Sequence, residues 1–248
     1  MASTSKIEWT EQTWNPVTGC TKVSPGCKNC YAETLSKRLQ AMGVKGYSAG
    51  FSRVTLLPEK LNQPLSRKKP TIYFVNSMSD LFQDDVPFSF IDKVMDTISV
   101  TPQHTYQILT KRADRMCKYF QDKEIPHNAW LGVSVEDKQY GKPRIPILKK
   151  IKANVRFLSI EPLLEDLGSL NFEGIHWVIV GGESGKKARP MNEKWVLKIK
   201  KQCENQNVSF FFKQWGSIGK DGKKRSKKEN GRELAGRHWD AIPLMAVS

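Results

Sequence analysis

The chain is short of acidic residues, short of cysteine, and without any long apolar run. Its 248 residues hold 25 Asp and Glu against 40 Lys and Arg, a net charge of +15. No stretch approaches the ~20 consecutive apolar residues that a membrane-crossing helix needs. The opening residues, MASTSKIEWTEQ, lack the apolar core of a signal peptide. These absences argue against a membrane partner and against secretion, and the expectation is a soluble, cytoplasmic protein. There are five cysteines. A small, odd number without a secretory signal does not read as a disulfide framework. The cytoplasm keeps thiols reduced, the state that metal-cluster assembly requires.

What cysteine there is, is concentrated. Cys20, Cys27 and Cys30 fall within eleven residues, in the run WNPVTGCTKVSPGCKNCYAE, with the spacing C-x6-C-x2-C. The stretch Cys27-Lys-Asn-Cys30 is tight enough for two thiolates to grip one metal centre. Pro25 and Gly26 supply a turn before Cys27, which sets Cys20 on a separate arm of the loop. Residues 31–39 (YAETLSKRL) read as a helix. Three thiolates on a four-iron cluster leave one iron without a protein ligand and open to substrate or cofactor, whereas a structural zinc site needs a fourth protein donor. On the residues alone, a structural zinc knuckle and three reduced core cysteines stand beside the cluster as alternatives. Cys117 and Cys203 lie far off on helical stretches and read as core cysteines.

The body of the chain alternates short apolar or β-branched runs with amphipathic stretches. TIYFV (71–75), YQIL (106–109), WLGVSV (130–135), VRFLSI (155–160), WVIV (177–180) and VSFFF (208–212) are strand candidates. SFIDKVMDTISV and EKWVLKIKKQCENQ place apolar residues at helical spacing. With one further short strand leading into the cysteine loop there are about seven, so the expected fold is α/β, a complete or partial (β/α) TIM-type barrel with an N-terminal cysteine loop. The domain expectation is a barrel over residues 1–215, with its cysteine loop at 20–30, followed by a basic C-terminal extension over 216–248.

The positions after the strands are unusually polar: Asn76, Ser77, Ser79 and Asp80; Thr110, Lys111 and Arg112; Ser134, Glu136 and Asp137; Glu161; Gly181, Gly182, Glu183, Ser184 and Gly185; Lys213, Gln214 and Trp215. Helix capping accounts for Ser79 or Asp80. It accounts poorly for Lys111, Glu161 and Lys213, because a charge beside an apolar strand end costs free energy unless it is paired or faces a cavity. Those three are the catalytic candidates, expected to face one cavity at the barrel mouth.

Excess positive charge of this size favours a polyanionic partner, most simply nucleic acid. Residues 216–237 carry eight basic and three acidic residues, so five of the fifteen excess charges lie there. Lys220, Lys223, Lys224, Arg225, Lys227 and Lys228 are the nucleic-acid-binding candidates, in a glycine-containing segment expected to be mobile. A solvated surface that aids solubility is the alternative reading of each basic run. Trp215 and Trp239 are candidates either for stacking on bases or for burial at the barrel edge.

The segment NPVTGCTKVSPGCKNCYAE resembles the signature of the phage-associated three-cysteine-motif family, a family of unknown function. TIYFVNSMSDLF, YQILTKRADRM, WLGVSVED, FLSIEPLL, VIVGGESG with ARPM, and FFFKQWG resemble its further blocks. That family is in turn similar to radical S-adenosylmethionine enzymes, including the spore photoproduct lyase branch, although those enzymes usually show C-x3-C-x2-C. The resemblance implies a [4Fe-4S] cluster on Cys20, Cys27 and Cys30, with S-adenosylmethionine chelated at the open iron. It implies a role for Gly181, Gly182 and Glu183 in holding that cofactor, the alternative being glycines that only form a turn before ARPM; Asn76 and Ser77, at the end of the first strand candidate, are the further cofactor-binding candidates. It further implies an electron donor such as a flavodoxin or ferredoxin, and hydrogen abstraction by a 5′-deoxyadenosyl radical from nucleic acid or a nucleotide, in repair or modification. The alternative from a different class is a nucleic-acid-binding protein whose zinc or iron–sulfur site is purely structural.

Overall fold

The computed structural model describes Ser5 and residues 7–243. The far ends of the two expected domain ranges, residues 1–4, 6 and 244–248, lie outside the described residues. In chain order the elements are β1 (Gln12–Trp14), β2 (Val17–Thr18), α1 (Tyr31–Ala41), β3 (Thr55–Leu56), β4 (Ile72–Val75), α2 (Phe88–Ser99), β5 (Thr105–Thr110) and α3 (Ala113–Tyr119), then β6 (Ala129–Ser134), α4 (Arg144–Lys149), β7 (Val155–Ile160), β8 (Trp177–Gly181), α5 (Glu193–Asn205), β9 (Ser209–Gln214) and α6 (Lys227–Asn230).

The strands follow the order β1-β4-β5-β6-β7-β8-β9 in an open parallel sheet, the arrangement of a partial (β/α) barrel. Every residue of β6 and of β8 is buried. Strands covered on both faces lose the apolar–polar alternation and read as continuous apolar runs, which is why the sequence marked them so clearly. A separate antiparallel pair, β2 with β3, has only two residues per strand, too short for any period to register.

The chain divides into two compact, discontinuous units. The first comprises residues 1–23, 30–132 and 150–154. In it, β1, β4 and β5 pair in parallel, and α2 buries Phe90, Ile91, Val94 and Ile98, the i, i+1, i+4, i+8 stripe of an amphipathic helix. Tyr106 stacks on Tyr73 at 5.4 Å and meets Trp14 edge-on at 5.5 Å. Its hydroxyl lies 2.7 Å from that of Thr101, and burial pushes its pKa up. Cys117, expected in the core, is only half-buried. It lines a cleft in this unit with Phe120, Lys123 and Ile151.

The second unit comprises residues 24–29, 133–149 and 155–248. Here β7, β8 and β9 pair in parallel, and α5 turns Val196, Ile199 and Cys203 inward. Cys203 is fully buried as expected, and burial pushes its thiol up to about 12. Residues 216–243 belong to this unit and not to a loose tail. Phe212 N–H donates to the Trp239 carbonyl at 2.8 Å, Phe211 bridges antiparallel to Asp240, and Trp177 Nε1 donates to the Ala241 carbonyl at 2.8 Å. No helix among the described residues is long and apolar enough to cross a membrane.

Candidate functional site

In the first unit a buried ion pair fixes the chain around Cys20. Asp80, beyond the end of β4, accepts from the Thr110 hydroxyl at 2.7 Å and from Phe82 N–H at 3.0 Å through Oδ1. Its Oδ2 accepts from Lys111 N–H and from Arg112 Nη1, each at 3.1 Å. The same guanidinium reaches the cysteine segment: Nη1 donates to Cys20 Sγ at 3.7 Å, and Nη2 to the Thr21 hydroxyl at 2.8 Å and carbonyl at 3.2 Å. Burial works against the Arg112 charge, but Asp80 and the Cys20 sulfur outweigh it and hold the guanidinium above its ordinary pKa. Cys20 N–H donates to the Phe51 carbonyl at 2.7 Å.

Cys30 stands at the N-cap position of α1, without a side-chain capping bond, and packs against a small apolar cluster of Ala32, Tyr47 and Met78. The Tyr31 hydroxyl donates to the Ser77 carbonyl at 2.5 Å. The Ser77 hydroxyl donates to Asn15 Oδ1 at 3.1 Å, so this cofactor candidate already has a partner. Asn76 is buried in a left-handed conformation with φ +58, which Asn tolerates better than most residues. Its Oδ1 accepts from Val17 N–H at 3.3 Å, while Nδ2 is buried with no hydrogen-bond partner among the described residues.

In the second unit two carboxylates hold residues 24–29. Glu136, just past β6, is wholly buried and pairs with Arg144 at 2.7 Å, which also donates to the Ser134 carbonyl at 2.8 Å. Glu136 accepts a short hydrogen bond from the Ser24 hydroxyl. A Cβ on Gly26 would stand 2.9 Å from Glu136 Oε1, so only glycine lets the turn settle on this carboxylate. Cys27 is half-buried, with its Sγ 3.8 Å from the Ser24 hydroxyl.

Glu183 accepts from Arg189 Nε at 2.9 Å, Arg189 N–H at 2.9 Å and Asn29 Nδ2 at 3.0 Å on Oε2, and from Arg189 Nη2 at 2.5 Å on Oε1. Arg189 Nη2 also donates to the Pro25 carbonyl at 3.0 Å, and Asn29 Nδ2 to the Lys187 carbonyl at 2.9 Å. Burial raises the Glu183 pKa, but these donors more than compensate and hold the carboxyl below its ordinary value of 4.5. Gly182 precedes it because a Cβ there would lie 1.9 Å from the Trp215 carbonyl oxygen. The carboxylate expected to hold a cofactor amine thus grips the segment between the thiols.

Of the three catalytic candidates, Glu161 and Lys213 meet. Lys213 Nζ lies 2.9 and 2.8 Å from the two Glu161 oxygens, and the side chains are 14% and 19% exposed for Lys213 and Glu161. Gln214 Nε2 donates to Glu161 Oε1 at 3.3 Å and to the Gly182 carbonyl at 3.1 Å, and its Oε1 is buried without a partner among the described residues. Gly181 lies beneath the pair, and a Cβ there would stand 3.1 Å from Glu161 Cδ. Lys111 belongs to the other unit, and its amide is bound to Asp80.

The basic candidates sit on a hydrogen-bonded frame. Arg225 pairs with Asp221 at 2.6 Å, and Lys227 and Lys228 lie in α6, whose start is closed by a Ser226–Glu229 capping box. Trp215 is buried, with Nε1 donating to the Glu233 carbonyl at 2.9 Å. Trp239 lies between Arg237 at 3.5 Å and Lys200 at 4.0 Å. Both indoles therefore take the packed role and not base stacking.

Sequence reasoning flagged Asp80, Arg112 and Glu136 only as polar strand ends and passed over Asn29 and Arg189. Their signal was the burial of charge next to the cysteine segment. As to metal, among the described residues no group of three or more His, Cys, Asp or Glu side chains is arranged to hold an ion, Cys20, Cys27 and Cys30 included. The donor chemistry nevertheless fits a cluster: three half-buried thiols, one beside a guanidinium and one against an apolar cluster.

The chain matches, over residues 4–243, the family described as "Protein of unknown function (DUF5131)". No curated protein matches it. Among solved structures it is similar to a cysteine-to-serine mutant of spore photoproduct lyase, at 13% identity and a TM-score of 0.49, over 75% of this chain and 60% of that one. It is similar also to the lyase complexed with dinucleoside spore photoproduct, at 13% identity and 0.49, over 82% and 63%. A mutant with bound AdoMet and the same dinucleoside matches at 14% identity and 0.47, over 73% and 58%. The chain thus spans about 60% of the length of these solved chains.

Proposed function

The chain belongs to the family described as "Protein of unknown function (DUF5131)", and from that premise we propose that it is a radical S-adenosylmethionine-like iron–sulfur enzyme acting on nucleic acid or a nucleotide. Cys20, Cys27 and Cys30 would hold a [4Fe-4S] cluster, with a flavodoxin or ferredoxin as electron donor. One observation carries the reading: the short segment bearing three thiols is tied down by buried charged groups, Asp80–Arg112 at Cys20 and Glu136 with Glu183–Arg189 around Cys27. Buried ion pairs are weak devices for stability. They serve better where side chains must be fixed in place, as the ligands of a cofactor must be.

When bound, such a cluster with S-adenosylmethionine supplies one-electron cleavage of a sulfonium and a hydrogen-abstracting radical. The chain's own residues would do the rest. Arg112 sets positive charge beside the Cys20 sulfur, the sign an anionic ligand needs. The apolar cluster of Ala32, Tyr47 and Met78 packs against Cys30 and shields part of its surface. Asn76 offers a buried amide donor, whereas the close approaches at Gly181 and Gly182 are already taken by Glu161 and the Trp215 carbonyl. Lys213 donates to both Glu161 oxygens, at 2.9 and 2.8 Å, a hydrogen-bonded pair of the kind that could take a proton from substrate or return one.

The test is anaerobic purification and reconstitution, with iron, sulfide and zinc assayed, an electronic spectrum recorded, and cleavage of S-adenosylmethionine followed under a strong reductant. Iron and sulfide in matched amounts together with cleavage are the expected result. Stoichiometric zinc without iron overturns the proposal in favour of a nucleic-acid-binding protein with a structural site.

A further inference from the structure

The basic C-terminal stretch is joined to the cysteine segment through a loop that composition did not single out. Lys28 and Asn29 stand between Cys27 and Cys30. Asn29 Nδ2 donates to the Lys187 carbonyl at 2.9 Å. On the other side of the same loop, Lys224 Nζ donates to the Lys186 carbonyl at 2.6 Å and Gly185 N–H to the Ser217 hydroxyl at 2.8 Å. Residues 218 and 224 bridge antiparallel, and Gly219 N–H donates to the Lys223 carbonyl at 3.0 Å, which folds the glycine-containing stretch into a turn. All of these residues lie in the second unit, and Lys28, Lys186, Lys187, Lys220, Lys223 and Lys224 are all exposed.

The nearby acids are occupied elsewhere. Asp221 binds Arg225 through both oxygens and accepts from Lys223 N–H, and the Arg225 hydrogen bonds hold its carboxyl below the usual range. Glu229 closes the cap of α6. Arg225 is thereby a brace and not a free cation. Among the described residues no carboxylate pairs with any of the six lysines.

We propose that Lys28, Lys186, Lys187, Lys220, Lys223 and Lys224 form one cationic track for the phosphodiester backbone of nucleic acid, leading from the basic stretch to the cysteine segment. The proposal rests on the nucleic-acid reading of the function and names the surface that would carry it. Trp215 is buried and Trp239 is enclosed by two cations, so neither offers a stacking face. Recognition along the track would be by charge, indifferent to sequence and sensitive to salt.

The experiment is a salt titration by fluorescence anisotropy of the full chain with labelled single- and double-stranded DNA and RNA. Phosphatidylserine vesicles serve as a second polyanion. Two triple variants are compared with the parent: Lys28→Ala/Lys186→Ala/Lys187→Ala, and Lys220→Ala/Lys223→Ala/Lys224→Ala. Each triple should lower the slope of log affinity against log salt by ~2–2.7 units, three contacts at ~0.7–0.9 each. The corresponding Lys→Arg triples should restore it, and melting curves show that each variant is folded. If the Lys28 triple keeps the parent slope while the Lys220 triple loses it, the track is overturned and nucleic-acid binding by the basic stretch stands. If the parent chain binds no oligonucleotide at low salt, or binds only the vesicles, the track and the nucleic-acid reading fall together.

Discussion

Replacing Glu183 by Gln should release the segment between the thiols without unfolding the chain. The carboxylate is nearly buried and accepts four hydrogen bonds, three from Arg189 and one from Asn29. Gln keeps the size but turns one acceptor into an NH2 group facing donors and removes the charge opposite a guanidinium. Breaking a fully buried pair costs ~3–5 kcal/mol. Arg189 is 30% exposed, so water recovers part of that and ~2 kcal/mol is the working figure. Arg189 and Asn29 are also the residues that reach Pro25 and Lys187, so the loss falls on residues 24–29. Hydrogen exchange read by mass spectrometry on a peptide covering them should speed up ~30-fold near neutral pH.

The pH dependence has a definite sign. Folding depresses the Glu183 pKa below 4.5, so its contribution is complete above that value and is lost as pH falls through the lower, folded one. The gap between parent and variant should therefore be full at neutral pH and close in acid. Equal protection of residues 24–29 in both proteins at neutral pH would refute the anchoring role. Should the variant instead keep the loop and lose affinity for S-adenosylmethionine, the cofactor role that the family resemblance implies would be restored to Glu183.

Replacing Cys20, Cys27 and Cys30 together by Ala should abolish bound iron and visible colour in anaerobically purified protein, whereas Cys117→Ala and Cys203→Ala should leave both intact. Gly182→Ala drives a methyl group into the Trp215 carbonyl and should cost ~2–3 kcal/mol in urea denaturation; an unchanged midpoint would mean that the turn yields easily. Lys213→Met leaves the largely buried Glu161 without its ammonium and should cost ~2–3 kcal/mol, reduced from the fully buried figure by the remaining exposure. Adding Glu161→Gln should recover most of that loss, and a double variant no better than the single would show that the pair is not coupled.

Strands β4 to β9 were legible because each is a short, largely apolar run bounded by turn residues. Four helices, α1, α2, α3 and α5, were legible too, two of them from an apolar stripe at helical spacing. What escaped was of two kinds. The pair β2 and β3 and the six-residue α4 are too short for a period, and Pro146 stands inside α4. The other kind is partnership. That Glu183 holds Asn29, and that Arg189 reaches Pro25, are contacts over 154 and 164 residues. A Gly-Gly-Glu run read locally suggests a ligand and says nothing of a distant amide. Likewise the pairing of Glu161 with Lys213 was within reach as two charges needing a partner, while Lys111 was grouped with them by the same strand-end argument, which does not tell which charges meet.

The segment laid along β9 by the Phe211–Asp240 bridge and the Phe212–Trp239 hydrogen bond bears on association between copies of the chain. β9 is a terminal strand of an open sheet and carries Phe210, Phe211 and Phe212 in succession, the kind of flat, apolar edge that invites strand-to-strand association between copies. Residues 239–241 occupy that edge with the chain's own backbone, and Arg232 closes over the ring of Phe211 at 5.1 Å. Residues 239–241 thus work as a built-in blocking strand: shortening the chain before them would uncover an apolar strand edge that templates association between copies.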